Sequence, residues 1–292
     1  MTLAPLDGPG TGTRTALHAP RASLCSCIRA YVTRSTMDAP LLSAAQRENH
    51  FSAASICSVV WYVQGEGRLI RMGDNELDTA MPGPVVFTGP RTEPSVSYNP
   101  ARVDLFYLIL LPEAMHALTG VDIGAYTDRC TAFDQVFDAE WQAMVREVLV
   151  APDHARRIEL IEAFFEPRWI AAKKRDGLRM RWLHDYLSGM AVRFIASEWG
   201  RSVRQLERRV KTWTGLSLQR LHKMRRAEQR YLAARDAMRA GDPSWAEVAA
   251  DTGYADQAHF CRETREASGL TPAELRRRVM HEESYWMYRI WS

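Results

Sequence analysis

The chain has 292 residues, of which 46% are hydrophobic and 25% are charged, so it is long enough for two folded domains and has the composition of a globular protein. Its formal net charge of +3 hides an asymmetry, because residues 1–180 carry 18 basic and 21 acidic side chains whereas residues 181–292 carry 20 and 14. The longest apolar run, Leu105–Leu111, is far shorter than the roughly 20 residues of a membrane-spanning helix, and the five cysteines are an odd number without a CxxC pair. We therefore expect a cytoplasmic protein with no membrane partner.

Residues 1–49 are predicted to be largely disordered. The first two dozen residues are rich in Thr, Gly, Pro and Arg, and they lack the apolar stretch of a secretory signal. Cys25 and Cys27 could form a thiol pair that senses redox state or binds a metal, but cysteines in such a segment are more often incidental.

Residues 50–180 are predicted to form an α+β domain. Over residues 57–111, short β-branched or aromatic runs separated by Gly- and Pro-rich turns indicate strands, and Leu105–Leu111 reads as a buried one. Over residues 134–174 the apolar residues recur at helical spacing in two stretches, and Asp153 between them is a candidate N-cap. A small sheet followed by helices is the expected architecture.

The aromatic and polar residues of this sheet have two alternative uses. They could line an apolar pocket for a small-molecule effector, or they could fill the core of the sheet, which is the more common use of such residues. The candidates for the effector pocket are Trp61, Tyr62, Phe87, Arg91, Glu93 and Tyr107.

Residues 181–280 are predicted to form an all-α domain of two similar units joined by a long helix. In the first unit an apolar helix face is followed by a turn at Gly200 and by a second helix of about Ser202–Thr212. Residues 217–239 contain no Gly or Pro and are predicted to form the connecting helix.

The second unit repeats this plan. Gly253 turns the chain, Asp256 is positioned to cap a helix that extends to about Ala267, and Phe260 is expected in its core. Helix, tight turn and a second helix with an outward polar face is the geometry that places a recognition helix in the major groove of DNA.

The second unit also carries a specific sequence signature. It reads G-Y-x-D-Q-x-H-F-x-R over residues 253–262 and G-L-T-P-x-E-L-R over residues 269–276. This pattern resembles the second helix-turn-helix of the AraC-type transcription regulators. The resemblance implies two helix-turn-helix units on a rigid linker helix, with recognition helices that enter successive major grooves. One departure is Thr264, which stands where these regulators commonly have an aromatic and implies looser packing of the second recognition helix.

A further passage resembles a domain of the same regulators. It reads G-P-R-T-E-P over residues 89–94 and F-Y-L-I-L-L-P-E-A over residues 106–114. The N-terminal sensor domain in one branch of the AraC-type regulators is similar, which implies signal input or dimerisation for residues 50–180 without naming a molecule.

The resemblance also assigns side chains to DNA. Arginine is the usual bidentate partner of guanine, glutamine suits adenine, and a glutamate accepts from cytosine. Each arginine could equally clamp a phosphate, because at least half of protein–DNA hydrogen bonds go to the backbone. The candidates for base reading are Arg204, Glu207, Arg208, Gln257, Cys261 and Arg262, and those for phosphate contact are Arg201, Arg209, Lys211 and Lys223.

The predicted function is sequence-specific DNA binding by a transcription regulator, which the N-terminal domain controls through a small-molecule effector or through dimerisation. Two alternatives stay open, namely that this domain is a purely dimerising or adaptor module, or that it is an unrecognised enzyme. No catalytic, cofactor-binding or metal-ligand spacing supports the enzyme. Double-stranded DNA is the expected partner, and an effector, RNA polymerase and a second copy of the chain are further candidates.

Residues 281–292 form an aromatic tail. Tyr285, Trp286, Tyr288 and Trp291 would make an adhesive patch if they were exposed. We therefore predict that the tail docks against the N-terminal domain or a second subunit. Truncation at Glu282 should lower solubility or change the oligomeric state.

Overall fold

The N-terminal part of the molecule contains two antiparallel β-sheets and three helices. The structure is a computed structural model that describes residues 10–187, 203–225, 227–228 and 244–290, with the backbone alone for residues 176–187 and 203–206. The larger sheet has the strand order β1-β2-β9-β4-β7-β10, and the smaller one has the order β3-β8-β5-β6. The strands are β1 Arg14–His18, β2 Ile28–Ser35, β3 Glu48–Phe51, β4 Cys57–Gln64, β5 Arg68–Met72, β6 Asn75–Ala80, β7 Val85–Thr88, β8 Ser95–Tyr98, β9 Asp104–Leu110 and β10 Cys130–Ala132.

The central strands of the larger sheet supply side chains to two separate cores. On β9, Phe106 and Leu108 point into a cluster on one face, whereas Leu105 and Tyr107 point into a second cluster on the other face. Because both faces are covered, the strand reads as a continuous apolar run and not as an alternating one. This confirms the buried strand predicted from the run Leu105–Leu111.

Three helices cover the first of these faces. They are α1 Pro112–Thr119, α2 Ala139–Val150 and α3 His154–Leu187. Asp153 Oδ1 accepts a hydrogen bond of 2.8 Å from the Arg156 amide, so the predicted cap of α3 is present. The α+β class predicted for this domain is confirmed. However, α3 continues without a break past position 180, where we had placed the domain boundary.

We predicted residues 1–49 to be largely disordered, and this is wrong for the described residues 10–49. Strand β2 lies between β1 and β9, and its Tyr31 and Val32 are fully buried. The Thr- and Arg-rich composition misled the prediction because these polar groups are paired inside the fold. For example, buried Arg34 donates from Nη1 to Thr15 Oγ1 at 3.0 Å.

The described C-terminal part is helical, as predicted. It contains α4 Val203–Thr214, the linker helix (described at 218–225 and 227–228), α5 Trp245–Asp251, α6 Gln257–Ser268, α7 Pro272–His281 and α8 Trp286–Ile290. The first helix and the Gly200 turn of the first unit lie outside the described residues, as does the linker from position 229 to 243. No helix in the described part of the chain is long and apolar enough to cross a membrane.

The aromatic tail docks into the N-terminal domain. Trp286 is 1% exposed, packs beside Tyr107 on the second face of the larger sheet, and donates from Nε1 to Asn49 Oδ1 at 2.7 Å. Glu283 and Arg34 form an ion pair of 2.6 Å in which both side chains are buried. The docking predicted from the aromatic residues of the tail is therefore confirmed, and the tail docks on the N-terminal domain of the same chain.

Candidate nucleic-acid interface

The second recognition helix, α6, begins as its sequence predicts. Gly253 has φ +73°, a left-handed conformation that glycine adopts without steric cost, and it ends the turn after α5. The Asp256 carboxylate then accepts a hydrogen bond of 2.6 Å from the His259 amide and so caps the free N–H groups of the helix. Phe260 is buried beside Tyr254, which holds α6 against α5.

The opposite side of α6 faces solvent. Gln257 and Arg262 are exposed, and Cys261 is half-buried. Gln257 and Cys261 are one helical turn apart and therefore share a face. Gln257 and Arg262 do not pack in the core of the unit, so their side chains are accessible to a partner.

The first recognition helix, α4, also has a packed and an open side. Val210 is fully buried with Leu216 and Leu221. The candidates Glu207, Arg208 and Lys211 are exposed, whereas Arg209 is half-buried. Arg204 lies on α4 but its side chain is outside the described residues, and Arg201 lies outside them altogether.

The phosphate candidate Lys223 is engaged within the protein. Its ammonium group forms an ion pair with Glu266 of α6, and both side chains are about half-exposed. The pair joins the linker helix to the second unit. Because exposed ion pairs contribute at most about 1 kcal/mol, a phosphate group could displace Glu266 from Lys223 at small cost.

The first unit rests on the N-terminal domain through the end of α4. Gly215 caps this helix with φ +75°, and a Cβ atom there would lie 2.7 Å from Thr127 Oγ1. The same hydroxyl donates to the Gly215 carbonyl oxygen at 2.8 Å. Farther along, Arg225 of the linker helix forms a partly buried ion pair of 2.7 Å with Glu113 of α1.

A cavity of about 180 Å³ lies between the N-terminal domain and the C-terminal helices. Its apolar surface includes Ala54, Ile56, Met224, Phe260, Leu275 and Met287. Its charged lining residues are Arg29, Arg220, Lys223, Glu228, Glu263 and Glu266, so the two signs balance. Arg29 pairs with Glu228 and Lys223 with Glu266, while Arg220 donates to the Thr92 carbonyl oxygen at 2.7 Å.

Sequence reasoning did not find this cavity, because its walls come from distant parts of the chain. The one local signal was Thr264, which lines it. A small residue where an aromatic is common leaves space beside α6, and that space is part of the cavity.

The six candidates for an effector pocket do not surround one space. Trp61 and Phe87 belong to the cluster under the helices, whereas Tyr62 and Tyr107 belong to the opposite face of the sheet. Burial raises the pKa of both tyrosine hydroxyls, and all four aromatic side chains act as core residues. Arg91 is half-buried at the edge of the second cluster, over the ring of Phe51, which packs against that cluster, whereas Glu93 is exposed.

The described residues contain no group of three or more His, Cys, Asp or Glu side chains that could hold a metal ion. All five cysteines are unpaired thiols. Cys25 is exposed whereas Cys27 is buried, and burial raises the pKa of the Cys27 thiol.

Comparison with known proteins places the C-terminal part in a family. A family model described as a helix-turn-helix domain matches residues 195–278. The HTH-type transcriptional activator RhaS of Escherichia fergusonii is 34% identical over 97 residues, which are 32% of this chain and 33% of RhaS. The match thus spans only about a third of the relative's length.

Solved structures of ToxT from Vibrio cholerae are similar over more of the chain but more weakly. One is 13% identical and covers 78% of this chain and 93% of ToxT with a TM-score of 0.40. Another, with bound unsaturated fatty acid, is 12% identical and covers 80% and 94% with a TM-score of 0.37. Scores of this size do not establish a common fold. The family match and the packed and open sides of α4 and α6 together identify the C-terminal part of this chain as a helix-turn-helix domain of the AraC type.

Proposed function

We propose that this protein is a transcription regulator that binds a specific DNA sequence through two helix-turn-helix units. The observation that carries the proposal is the second unit, which matches the helix-turn-helix family and has the turn at Gly253 and the cap at Asp256 that such a unit needs. Its recognition helix exposes Gln257 and Arg262. These are side chains that read adenine and guanine in the major groove.

In this mode of binding, α4 and α6 enter adjacent major grooves about one helical turn apart. Glu207 and Arg208 of α4 and Gln257, Cys261 and Arg262 of α6 contact base edges, together with Arg204. Arg201, Arg209, Lys211 and, after exchange of its ion pair, Lys223 contact phosphates.

The charge distribution supports a polyanionic partner at this end of the chain. Residues 181–292 carry a net charge of +6, whereas residues 1–180 carry −3. Contacts between basic side chains and phosphates release counterions, so the affinity should fall steeply as the salt concentration rises.

Site selection from random duplex DNA with the purified full-length protein tests this function, followed by a salt titration on the best duplex. We expect a compact motif with two half-sites about one turn apart, and binding that weakens steeply with salt. Failure to enrich any motif, both for the full chain and with effector compounds added, would refute sequence-specific binding.

We further propose that the N-terminal domain responds to a small molecule that binds in the interdomain cavity. The cavity is bounded by the N-terminal domain, the linker helix, the second unit and the aromatic tail. A ligand there touches all of them at once and therefore stabilises this one arrangement of the recognition helices over others.

The lining specifies the chemistry of the ligand. Most of it is apolar, and the cationic groups at its edge are already engaged by glutamates or by a backbone carbonyl. A charged ligand that bound Arg29 or Lys223 would have to break an ion pair and leave a glutamate uncompensated, whereas an uncharged apolar ligand leaves both pairs intact. A volume of about 180 Å³ suits a compact molecule, since an apolar cavity of about 150 Å³ holds benzene.

Thermal unfolding with matched pairs of apolar alcohols and carboxylic acids, including an unsaturated fatty acid, tests the cavity. A ligand that binds only the folded state stabilises it by about 2.7 kcal/mol at a hundred times its Kd. We expect a neutral compound to raise the Tm of the wild type but not of Ala54→Leu, which fills the cavity. A rise given only by the acids would contradict the uncharged ligand, and no rise with any compound would contradict the effector site.

A further inference from the structure

The two helix-turn-helix units are fastened to the N-terminal domain at separate places. The first unit is held beside α1 by the Arg225–Glu113 ion pair and by the hydrogen bond from Thr127 Oγ1 to the Gly215 carbonyl oxygen. The ring of Trp213 in α4 also lies 6.2 Å from that of His116 in α1. These contacts fix the C-terminal end of the first recognition helix.

The second unit is held at the smaller sheet and at its neighbouring loop. The Ala53 amide donates to the Ala267 carbonyl oxygen, in the last turn of α6, at 2.8 Å. Beyond α7 the aromatic tail begins, and Tyr285 stacks on His50 of β3 with ring centroids 4.3 Å apart.

The tail is the stronger of the second unit's attachments. Glu283 is buried and accepts from Arg34, from Thr13 at 2.8 Å and from Thr11 at 3.0 Å. The Arg34 guanidinium also lies over the Trp286 ring, 5.0 Å from its centroid. A buried carboxylate with this many donors holds its backbone in one place, because any displacement leaves charged groups unpaired inside the protein.

The distance between the recognition helices matters for DNA. Half-sites lie about one helical turn apart, and each inserted base pair moves a half-site by about 3.4 Å and rotates it by about 34°. Two recognition helices held on one rigid support cannot follow such a change, whereas two loosely joined ones can. The linker helix joins the two units through the chain. In the described residues, the ion pair between that helix and the second unit is the exposed Lys223–Glu266 pair, which adds little to the rigidity that the linker provides.

We propose that Arg34, Glu283 and Trp286 are positioning residues that fix α6 relative to α4 and thereby set the half-site spacing that the protein accepts. This inference rests on the proposed DNA-binding function. Because the tail is docked, the N-terminal domain determines the half-site spacing that the protein accepts. Release of the tail leaves the base preferences of the recognition helices unchanged.

The test measures affinity for the selected duplex and for duplexes with one base pair inserted or deleted between the half-sites. The wild type should lose about tenfold or more on either change, the size of loss expected for a mismatched site. Glu283→Gln and Trp286→Ala should lose less than about threefold while keeping the same base preferences within each half-site. Val148→Ala, which weakens the core of the N-terminal domain away from the tail, is the matched control and should discriminate like the wild type.

Hydrogen exchange of residues 283–290 reports whether the tail has been released in each variant. Thr13→Val, which removes one donor to Glu283, is the milder variant should the others fail to fold. The inference would be overturned if a variant with a released tail still lost about tenfold in affinity on the duplexes with an inserted or deleted base pair. It would also be overturned if the wild type bound these altered duplexes as tightly as the selected one. Absence of any sequence-specific binding would instead refute the proposed function, so the two failures are distinguishable.

Discussion

Replacing Trp286 by alanine should destabilise the N-terminal domain even though this residue follows the last helix of the DNA-binding domain. The side chain is 1% exposed and lies in the cluster formed by Val32, Tyr107 and Ile109. Removing a buried tryptophan costs about 3–5 kcal/mol, and the unsatisfied Asn49 Oδ1 adds about 1 kcal/mol. We therefore expect a loss of about 4–6 kcal/mol in the free energy of unfolding.

Urea unfolding followed by far-UV circular dichroism measures this loss. With an m-value of about 3 kcal/mol/M, the midpoint should fall by about 1–2 M. Amide exchange on β2 and β9 should accelerate in parallel, because these strands lose the cover of one face. The control is Trp245→Ala, a half-buried tryptophan that packs on Phe260 within the second unit and leaves these strands unchanged. A shift below about 1 kcal/mol in Trp286→Ala, with unchanged exchange on β2 and β9, would refute the view that the tail completes this core.

Two further predictions concern pH and DNA. Burial, with Arg71 and Arg278 nearby, lowers the pKa of His50 from 6.5 to about 4. The unfolded chain therefore binds this proton more readily than the folded chain does. As a result, the free energy of unfolding falls as the pH drops from about 6.5 towards 4. His50→Phe keeps an aromatic ring against Tyr285 but cannot bind a proton, so its free energy of unfolding should fall by up to about 3 kcal/mol less than that of the wild type over this pH range. An unchanged pH dependence would contradict the lowered pKa of His50. Arg262→Ala should weaken binding to the selected duplex by about 1–3 kcal/mol and relax the preference at one base pair, whereas Arg68→Ala on the exposed β5–β6 hairpin should have no effect. A uniform loss on all sequences would mark Arg262 as a phosphate contact instead.

Local patterns in the sequence predicted the parts of the fold that are held by local interactions. The turn at Gly253, the caps at Asp153 and Asp256 and the buried Phe260 depend on neighbours within a few residues, so their spacing was sufficient. The same holds for the outward face of α6, since the inward position of Phe260 determines which residues point away from the core.

The N-terminal strands could not be predicted in this way. Thr13 and Arg34 look like residues of a solvated segment until their partner is known, and that partner is Glu283, which lies 270 residues after Thr13. Pairing over such a distance leaves no periodic signal in either segment.

The candidates for the effector pocket illustrate the second of the two uses that the sequence left open for them, which is to fill the core of the sheet. Trp61 and Tyr62 are consecutive residues of β4, and successive side chains of a strand face opposite sides of its sheet. The alternation alone argued against one pocket that contains both, and the structure divides them between two cores. The interdomain cavity had no comparable pattern, because it exists only after four separate parts of the chain have come together.

The position of the aromatic tail also has a consequence for biosynthesis. The ribosome makes β2 and β9 long before Trp286 and Ile290, yet these late residues cover the second face of the sheet that β2 and β9 form. N-terminal domains generally fold first as a chain emerges, and exposed apolar surface on a partly folded chain promotes aggregation. During synthesis the larger sheet therefore carries an uncovered apolar face until the DNA-binding helices have been made. Released chains truncated before residue 283 should therefore bind general chaperones, which recognise such surfaces, more strongly than the released chain of 292 residues.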